Sequence, residues 1–89
     1  MQTKQSIELS KIKAIAGEIW PDASADSVDL FTRSLELHYG TPLFSAVEIG
    51  TTAWSRFGGL GKATEFSVRV AREFPEYDPE RSVIGDHRR

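Results

Sequence analysis

The sequence predicts an all-α protein, a small bundle of about four helices with a short extended C-terminal tail. Its 89 residues, 39% of them hydrophobic, suffice for one domain with a modest core. Prolines and glycines divide the chain into segments of helix length. In the first segment, apolar residues recur three and four positions apart, the spacing of one helix face. These residues are Ile12, Ile15, Ala16 and Ile19.

Capping and breaking residues set the boundaries of the predicted elements. Pro21 ends the first helix, and Ser24 is a favourable N-cap for the second. Gly40 can adopt the left-handed conformation that follows a helix, and Thr41-Pro42 combines an N-cap hydroxyl with proline at the first helical position. The predicted helices cover residues 7–20, 25–39, 42–57 and 64–74 of a domain spanning 1–74, and residues 75–89 are predicted to form a flexible tail.

The third helix has one apolar face that predicts burial of its tryptophan. Gly50 lies on this face and weakens the helix by about 1 kcal/mol relative to alanine. A glycine at that position is predicted to permit a close helix crossing. The apolar residues of the face are Leu43, Ala46, Val47, Trp54 and Phe57.

Residues 64–74 are open to two interpretations. Phe66, Val68 and Val70 alternate with polar residues, which is the period of a strand. Phe66, Val70 and Phe74 also fit one face of a helix, with Thr64 as its cap. We favour the helix, because a lone short strand would have no partner in this chain.

The residues that carry catalytic or metal chemistry are few. The chain has no cysteine, and its two histidines, His38 and His87, stand far apart. No serine stands in a recognisable arrangement with a histidine base. The segment 58–62, Gly-Gly-Leu-Gly-Lys, departs from the spacing of a phosphate-binding loop. We therefore predict a protein that is not an enzyme and needs no metal or cofactor.

The charge distribution points to a candidate contact segment. The net charge is −2, yet residues 56–72 hold four basic residues and one acidic residue. A basic segment can bind an acidic protein surface or nucleic acid, although a solvated helix face is an equally simple explanation. Aromatic residues with no obvious core position are further candidates for a partner contact. The candidate partner-binding residues are Trp20, Arg56, Lys62, Arg69, Arg72 and Tyr77.

The predicted partner is another protein, with nucleic acid as the second choice, and a homodimer is a further possibility for so small a core. Membrane association is not predicted, because no apolar run approaches the roughly 18 residues of a membrane span. The amino end lacks the apolar region of a secretory signal, so a cytoplasmic location is expected.

The order of these features resembles the small helical helicase loader or helicase inhibitor proteins of tailed phages. The matching features are Trp20-Pro21, Leu30-Phe31 with Leu35, Ala46-Val47 and Phe57-Gly58-Gly59. In that family a tryptophan stands at the position of Phe31, and a Pro-Pro pair stands where this chain has two glycines. The resemblance covers roughly residues 9–66 and implies binding to a hexameric replicative helicase without catalysis. The predicted function is therefore regulation of a larger machine, a replicative helicase or a host defence complex, by a phage or mobile-element protein. The alternative is a small DNA-binding regulator that uses residues 56–72.

Overall fold

The structure, a computed structural model, describes residues 4–78. The helices in this range are α1 (Lys4–Ile19), α2 (Ala25–Glu36), α3 (Ala46–Phe57) and α4 (Leu60–Glu73), followed by the 3-10 helix η1 (Pro75–Tyr77). Within the described residues there is no strand, which confirms the predicted all-α bundle and the helical interpretation of residues 64–74. None of the helices in residues 4–78 has the length and apolarity of a membrane-spanning segment.

Aromatic rings fill the centre of the bundle, where α4 packs against both α1 and α3. Phe31 and Phe66 are fully buried, and their ring centroids lie 5.8 Å apart in an edge-to-face arrangement. Trp20 lies 5.4 Å from Phe66 and 5.0 Å from Phe57. Such offset and edge-on contacts suit the quadrupoles of aromatic rings and add to the gain from apolar burial. The predicted isoleucine face of α1 is buried in this core.

The connection between α2 and α3 is longer than predicted. The hydroxyl of Thr41 donates to the carbonyl oxygen of His38 at 2.6 Å instead of capping α3. The N-cap of α3 is Ser45, whose hydroxyl accepts from the backbone N–H of Glu48. The predicted helix start at Thr41-Pro42 is therefore wrong. Gly40 does adopt a positive φ of 83°, but in the loop beyond the end of α2.

A two-glycine turn joins α3 to α4. Gly58 and Gly59 have φ angles of 78° and 77°, values that side chains with a Cβ rarely adopt. The chain reverses within these two residues, so α4 begins at Leu60 and not at the predicted Thr64. This tight reversal places α3 and α4 side by side over most of their length.

The segment after α4 packs against the bundle. In η1 the ring of Tyr77 lies 4.9 Å from that of Phe44 and 5.5 Å from that of Phe74. The predicted tail of residues 75–89 thus begins with a packed turn. Its residues 79–89 lie outside the described residues.

Candidate functional site

Trp20 belongs to the core. Only 7% of its surface is exposed, and its indole Nε1 donates to the carbonyl oxygen of Gly58 at 3.3 Å. This bond fixes the α3–α4 turn to the end of α1. The side chain of Trp20 is thus committed to contacts within the bundle, which argues against it as a partner contact.

Tyr77 is also committed to an internal contact, with a buried carboxylate of α1. Its hydroxyl donates to Oε1 of Glu8, and the hydroxyl of Tyr39 donates to the same oxygen at 2.5 Å. Lys4 lies 3.8 Å from the second carboxylate oxygen. Glu8 is only 6% exposed, so these donors compensate for its loss of water. The cluster ties η1 and the α2–α3 loop to α1, which argues against Tyr77 as a free partner contact.

The environment of this cluster keeps both phenols protonated. Burial, followed by the hydrogen bond to Glu8, raises the pKa of Tyr77. For Tyr39 the hydrogen bond to Glu8 is the larger cause of a raised pKa, and burial adds to it. A phenol with a raised pKa keeps the proton that it donates to the carboxylate and is a poor nucleophile or general base at neutral pH. Within residues 4–78 no three potential metal ligands come together.

The four predicted basic residues do not form one surface. Arg69 faces α1, where its guanidinium lies 2.8 Å from the carboxylate of Glu18. Arg56 lies on another side, in a shallow polar groove that also includes Ser34 of α2. Arg72 is exposed and follows Arg69 by three residues, so the two lie at neighbouring positions on one face of α4. Arg56 is thus separated from the basic residues of α4.

Lys62 precedes Arg69 by seven residues, two helical turns, and therefore shares its side of α4. Lys62, Arg56 and Arg72 are all exposed, and none of them forms an ion pair with another residue of the described chain. The three basic residues of α4 share their side of the helix with Glu65, and Arg69 is paired with Glu18, so few simultaneous phosphate contacts are available there.

Sequence reasoning missed an apolar groove between α3 and α4, which we call the α3–α4 groove. Its walls are formed by large apolar side chains exposed to solvent: Val47 (55% exposed), Trp54 (48%), Leu60 (65%) and Val68 (44%). Together they expose on the order of 400 Å², the size of patch that is often functional on a small protein. The lining is completed by Gly50, Thr51, Ala63, Thr64 and Ser67, and none of the nine lining residues is charged.

Small residues form the floor of the α3–α4 groove and hold the two helices close together. A Cβ atom added to Gly50 would lie 2.8 Å from the Cβ of Ser67, closer than two such atoms approach in proteins. The hydroxyl of Ser67 donates to the carbonyl oxygen of Ala46 at 2.9 Å, across the helix pair. The close crossing predicted at Gly50 is confirmed. The groove above it has a volume of about 220 Å³.

The close crossing also explains why Trp54 is not in the core. The buried face of α3 consists of Ala46, Ile49, Gly50 and Ala53. Small residues must face α4 at this short separation, and Val47 and Trp54 are displaced to the outer side. The prediction that Trp54 is buried is therefore wrong. The signal that could have corrected it is the spacing of Ala46, Gly50 and Ala53, which marks a second face made of small residues.

A second groove lies between the end of α1 and the start of α2. Ala14, Gly17 and Ala23 are among its lining residues, and Lys13 at its edge pairs with Asp29 at 3.2 Å. Its large apolar members, Trp20 and Val28, are buried in the core. This groove therefore lacks the projecting apolar side chains of the α3–α4 groove.

Comparison of the chain with protein-family models, with curated proteins and with solved structures yields no match. The α3–α4 groove is the most distinctive feature of the described surface.

Proposed function

We propose that this protein is a non-catalytic regulator that acts by binding another protein, with the α3–α4 groove as part of the contact surface. The observation that carries the proposal is the concentration of exposed apolar residues along one groove of the bundle. An exposed apolar patch of a few hundred Å² is often an interaction site. Trp54 projects at the wall of the groove, and tryptophan is enriched among the residues that dominate binding energy.

The groove is suited to binding and not to catalysis. Its lining includes no residue that titrates near neutral pH and therefore no general acid or base. The buried carboxylate of Glu8, which could have served in acid–base chemistry, already accepts from two tyrosines at another part of the bundle.

The target that we propose is a hexameric replicative helicase, with a host defence complex as the other member of the same class. The support is the resemblance to phage helicase loaders and inhibitors in the order of features. Trp20 and Leu35 lie in the core and Phe57 packs against it, so the features that carry the resemblance are structural positions and not contact residues. A phage or mobile-element origin and action in the cytoplasm belong to this same proposal.

The DNA-binding alternative receives less support. Electrostatic binding to DNA gains from many simultaneous phosphate contacts. Arg56 lies on another side of the bundle from Arg69 and Arg72, and Arg69 is already paired with Glu18. Binding to duplex DNA at low salt that falls steeply as salt is added would favour the alternative.

The test is a binding measurement between the full chain and the purified replicative helicase of the presumed host. We expect a stable complex with the unmodified chain and at least about tenfold weaker binding by Trp54→Ser, since truncating a tryptophan hot spot costs 2 kcal/mol or more. The matched control is Leu37→Ser, at an apolar residue that is 80% exposed and lies outside the groove. Circular dichroism checks that both variants are folded.

Each outcome has a distinct meaning. Absence of a complex with the helicase rejects the helicase as target. A complex that Trp54→Ser and Leu37→Ser weaken equally rejects the groove as the contact surface.

A further inference from the structure

We propose that the occupant of the α3–α4 groove is an amphipathic α-helix of the partner protein, with a carboxylate beside its apolar face to pair with Arg72. This inference rests on the proposed function and specifies the chemistry of the partner.

The length of the groove fits two turns of a helix. At 1.5 Å per residue, the separation from Val47 to Trp54 along α3 is about 10 Å, and that from Leu60 to Val68 along α4 is about 12 Å. Apolar residues at positions i, i+4 and i+7 of an incoming helix also span about 10 Å. The small residues of the floor, Gly50 among them, allow its side chains to lie between the two walls.

The hydrogen-bonding groups of the groove favour a helix over an extended peptide. The hydroxyls of Thr51 and Thr64 each donate to a carbonyl oxygen one turn earlier in their own helix, at 2.9 Å. The hydroxyl of Ser67 donates to Ala46. With these three hydroxyls engaged, the indole N–H of Trp54 is the side-chain donor of the lining that remains for the backbone carbonyls of an extended chain. Most of the backbone polar groups of an extended peptide would therefore be buried without a partner, which costs free energy. A helix satisfies its own backbone and presents only side chains.

Exposed apolar side chains elsewhere on the described chain do not form the face of one helix. Outside the groove, the large apolar residues that are exposed are Ile7 in α1, Leu30 in α2, and Leu37 and Leu43 in the α2–α3 loop. A second copy of this chain therefore has no further apolar helix face among its described residues to place in the groove, whereas a helix of a partner protein can supply one.

The charged residues at the edge of the groove determine where the partner helix is expected to carry an acidic residue. Arg72 is exposed, follows Val68 by one turn, and has no ion pair within the described residues. Glu65 lies on the same edge two turns before Arg72 and would repel a carboxylate there. The partner carboxylate is therefore expected at the Arg72 end of the groove, where an arginine–carboxylate pair adds specificity.

The experiment is selection of a displayed library of random 16-residue peptides on the immobilised full chain. We expect enriched peptides with apolar residues at i, i+4 and i+7 and an acidic residue on one flank. Their affinity should fall at least about tenfold for Trp54→Ser and remain unchanged for Leu37→Ser. Selection on Arg72→Glu should replace the acidic residue with lysine or arginine, and this exposed substitution should leave the fold intact.

Four results would overturn the inference. Enriched peptides with alternating apolar residues would indicate an extended occupant, and enrichment that is absent or indifferent to Trp54→Ser would exclude a helix-binding groove. Light scattering that shows a dimer disrupted by Trp54→Ser would assign the groove to a second copy. A helicase that binds through the groove by an extended segment would contradict the helix while the proposed function stands.

Discussion

The side of α4 that faces α1 is covered by the bundle, whereas the side next to the outer surface of α3 is open to solvent. Toward α1, its buried residues Phe66 and Val70 enter the core, and ion pairs cross the boundary from Arg69 to Glu18 and from Glu73 to Lys11. Toward the outer side of α3, the helices meet through small residues, and large apolar side chains stand in solvent on both walls. The same helix thus has one apolar face that the bundle covers and a second that it leaves open.

This difference shows what a helix pair gains and loses by close contact. At a short separation, small residues fill the interface between the helices. The hydroxyl of Ser67 in α4 donates to a backbone carbonyl oxygen of α3 across it. Large side chains no longer fit between the helices, so Val47 and Trp54 lie outside. The apolar walls of the groove are therefore open to solvent. A helix from a partner protein can pack between them, against both α3 and α4.

The largest expected effect separates the covered face from the open one. Phe66→Ala should lower the free energy of unfolding by about 3–5 kcal/mol, because Phe66 is fully buried between the rings of Trp20 and Phe31. Leu60→Ala on the open face, at a residue 65% exposed, should change it by about 0.5 kcal/mol or less. Chemical denaturation of both variants measures the contrast, and equal losses would mean that the groove is part of the core.

The covered face was largely predictable from the sequence and the open one was not. The isoleucine face of α1 follows from simple periodicity, because large apolar residues there are the buried ones. In α3 the rule holds for Ile49 but fails for Trp54: Ala46 and Gly50 are buried, whereas Trp54 is exposed. Periodicity identifies apolar faces but not the distance between helices, which decides whether a small or a large residue faces inward.

The roles of the tryptophans and tyrosines depend on contacts distant in sequence. Trp20 is buried because Gly58, 38 residues away, offers it a carbonyl. Tyr77 is held by Glu8, 69 residues away. No local pattern encodes such pairs, and for that reason the two aromatic residues predicted as partner contacts are internal, whereas the predicted core tryptophan is exposed.

A second prediction concerns the hydrogen bonds that Tyr39 and Tyr77 donate to Glu8 of α1. Tyr77→Phe should lower the free energy of unfolding by about 2 kcal/mol at neutral pH, since it removes a hydrogen bond to the buried carboxylate of Glu8. The substitution should also make the free energy of unfolding less sensitive to alkaline pH, because one titrating phenol is removed. Because the folded state raises the pKa of Tyr77 and of Tyr39, their contribution is complete below pH of about 10, the value in an unfolded chain, and declines as pH rises above it.

Denaturation curves from pH 8 to about pH 11 measure this effect for the unmodified chain, Tyr77→Phe and the double variant Tyr39→Phe/Tyr77→Phe. Lysine titration is common to all three, so the difference between the curves isolates the phenols. Parallel curves over this range would contradict the role assigned to the Glu8 cluster.

The third prediction compares two helical glycines of different surroundings. Gly50→Ala should cost about 1 kcal/mol or more, because the added Cβ would meet that of Ser67 at 2.8 Å and force the two helices apart. Gly17→Ala should instead stabilise the protein by about 0.5–1 kcal/mol, since nothing lies within 4 Å of its Cβ and alanine favours the helix. Thermal unfolding of the two variants provides the test. Stabilisation by both would show that α3 and α4 are not in the close contact described.

The smallest expected effect concerns the ion pair between Arg69 of α4 and Glu18 of α1. It tests whether this pair or the buried core contributes more to the contact between the two helices. Arg69 and Glu18 approach to 2.8 Å, but their side chains are 36% and 64% exposed. At that exposure water screens the charges, and a double-mutant cycle with Arg69→Gln and Glu18→Gln should give a coupling of about 0.5 kcal/mol or less. The variant Arg69→Gln should also bind the partner as the unmodified chain does, because Arg69 lies away from the α3–α4 groove. A coupling well above 1 kcal/mol would mean that charge, and not Phe66 and Val70 beneath it, distinguishes the closed side from the open one.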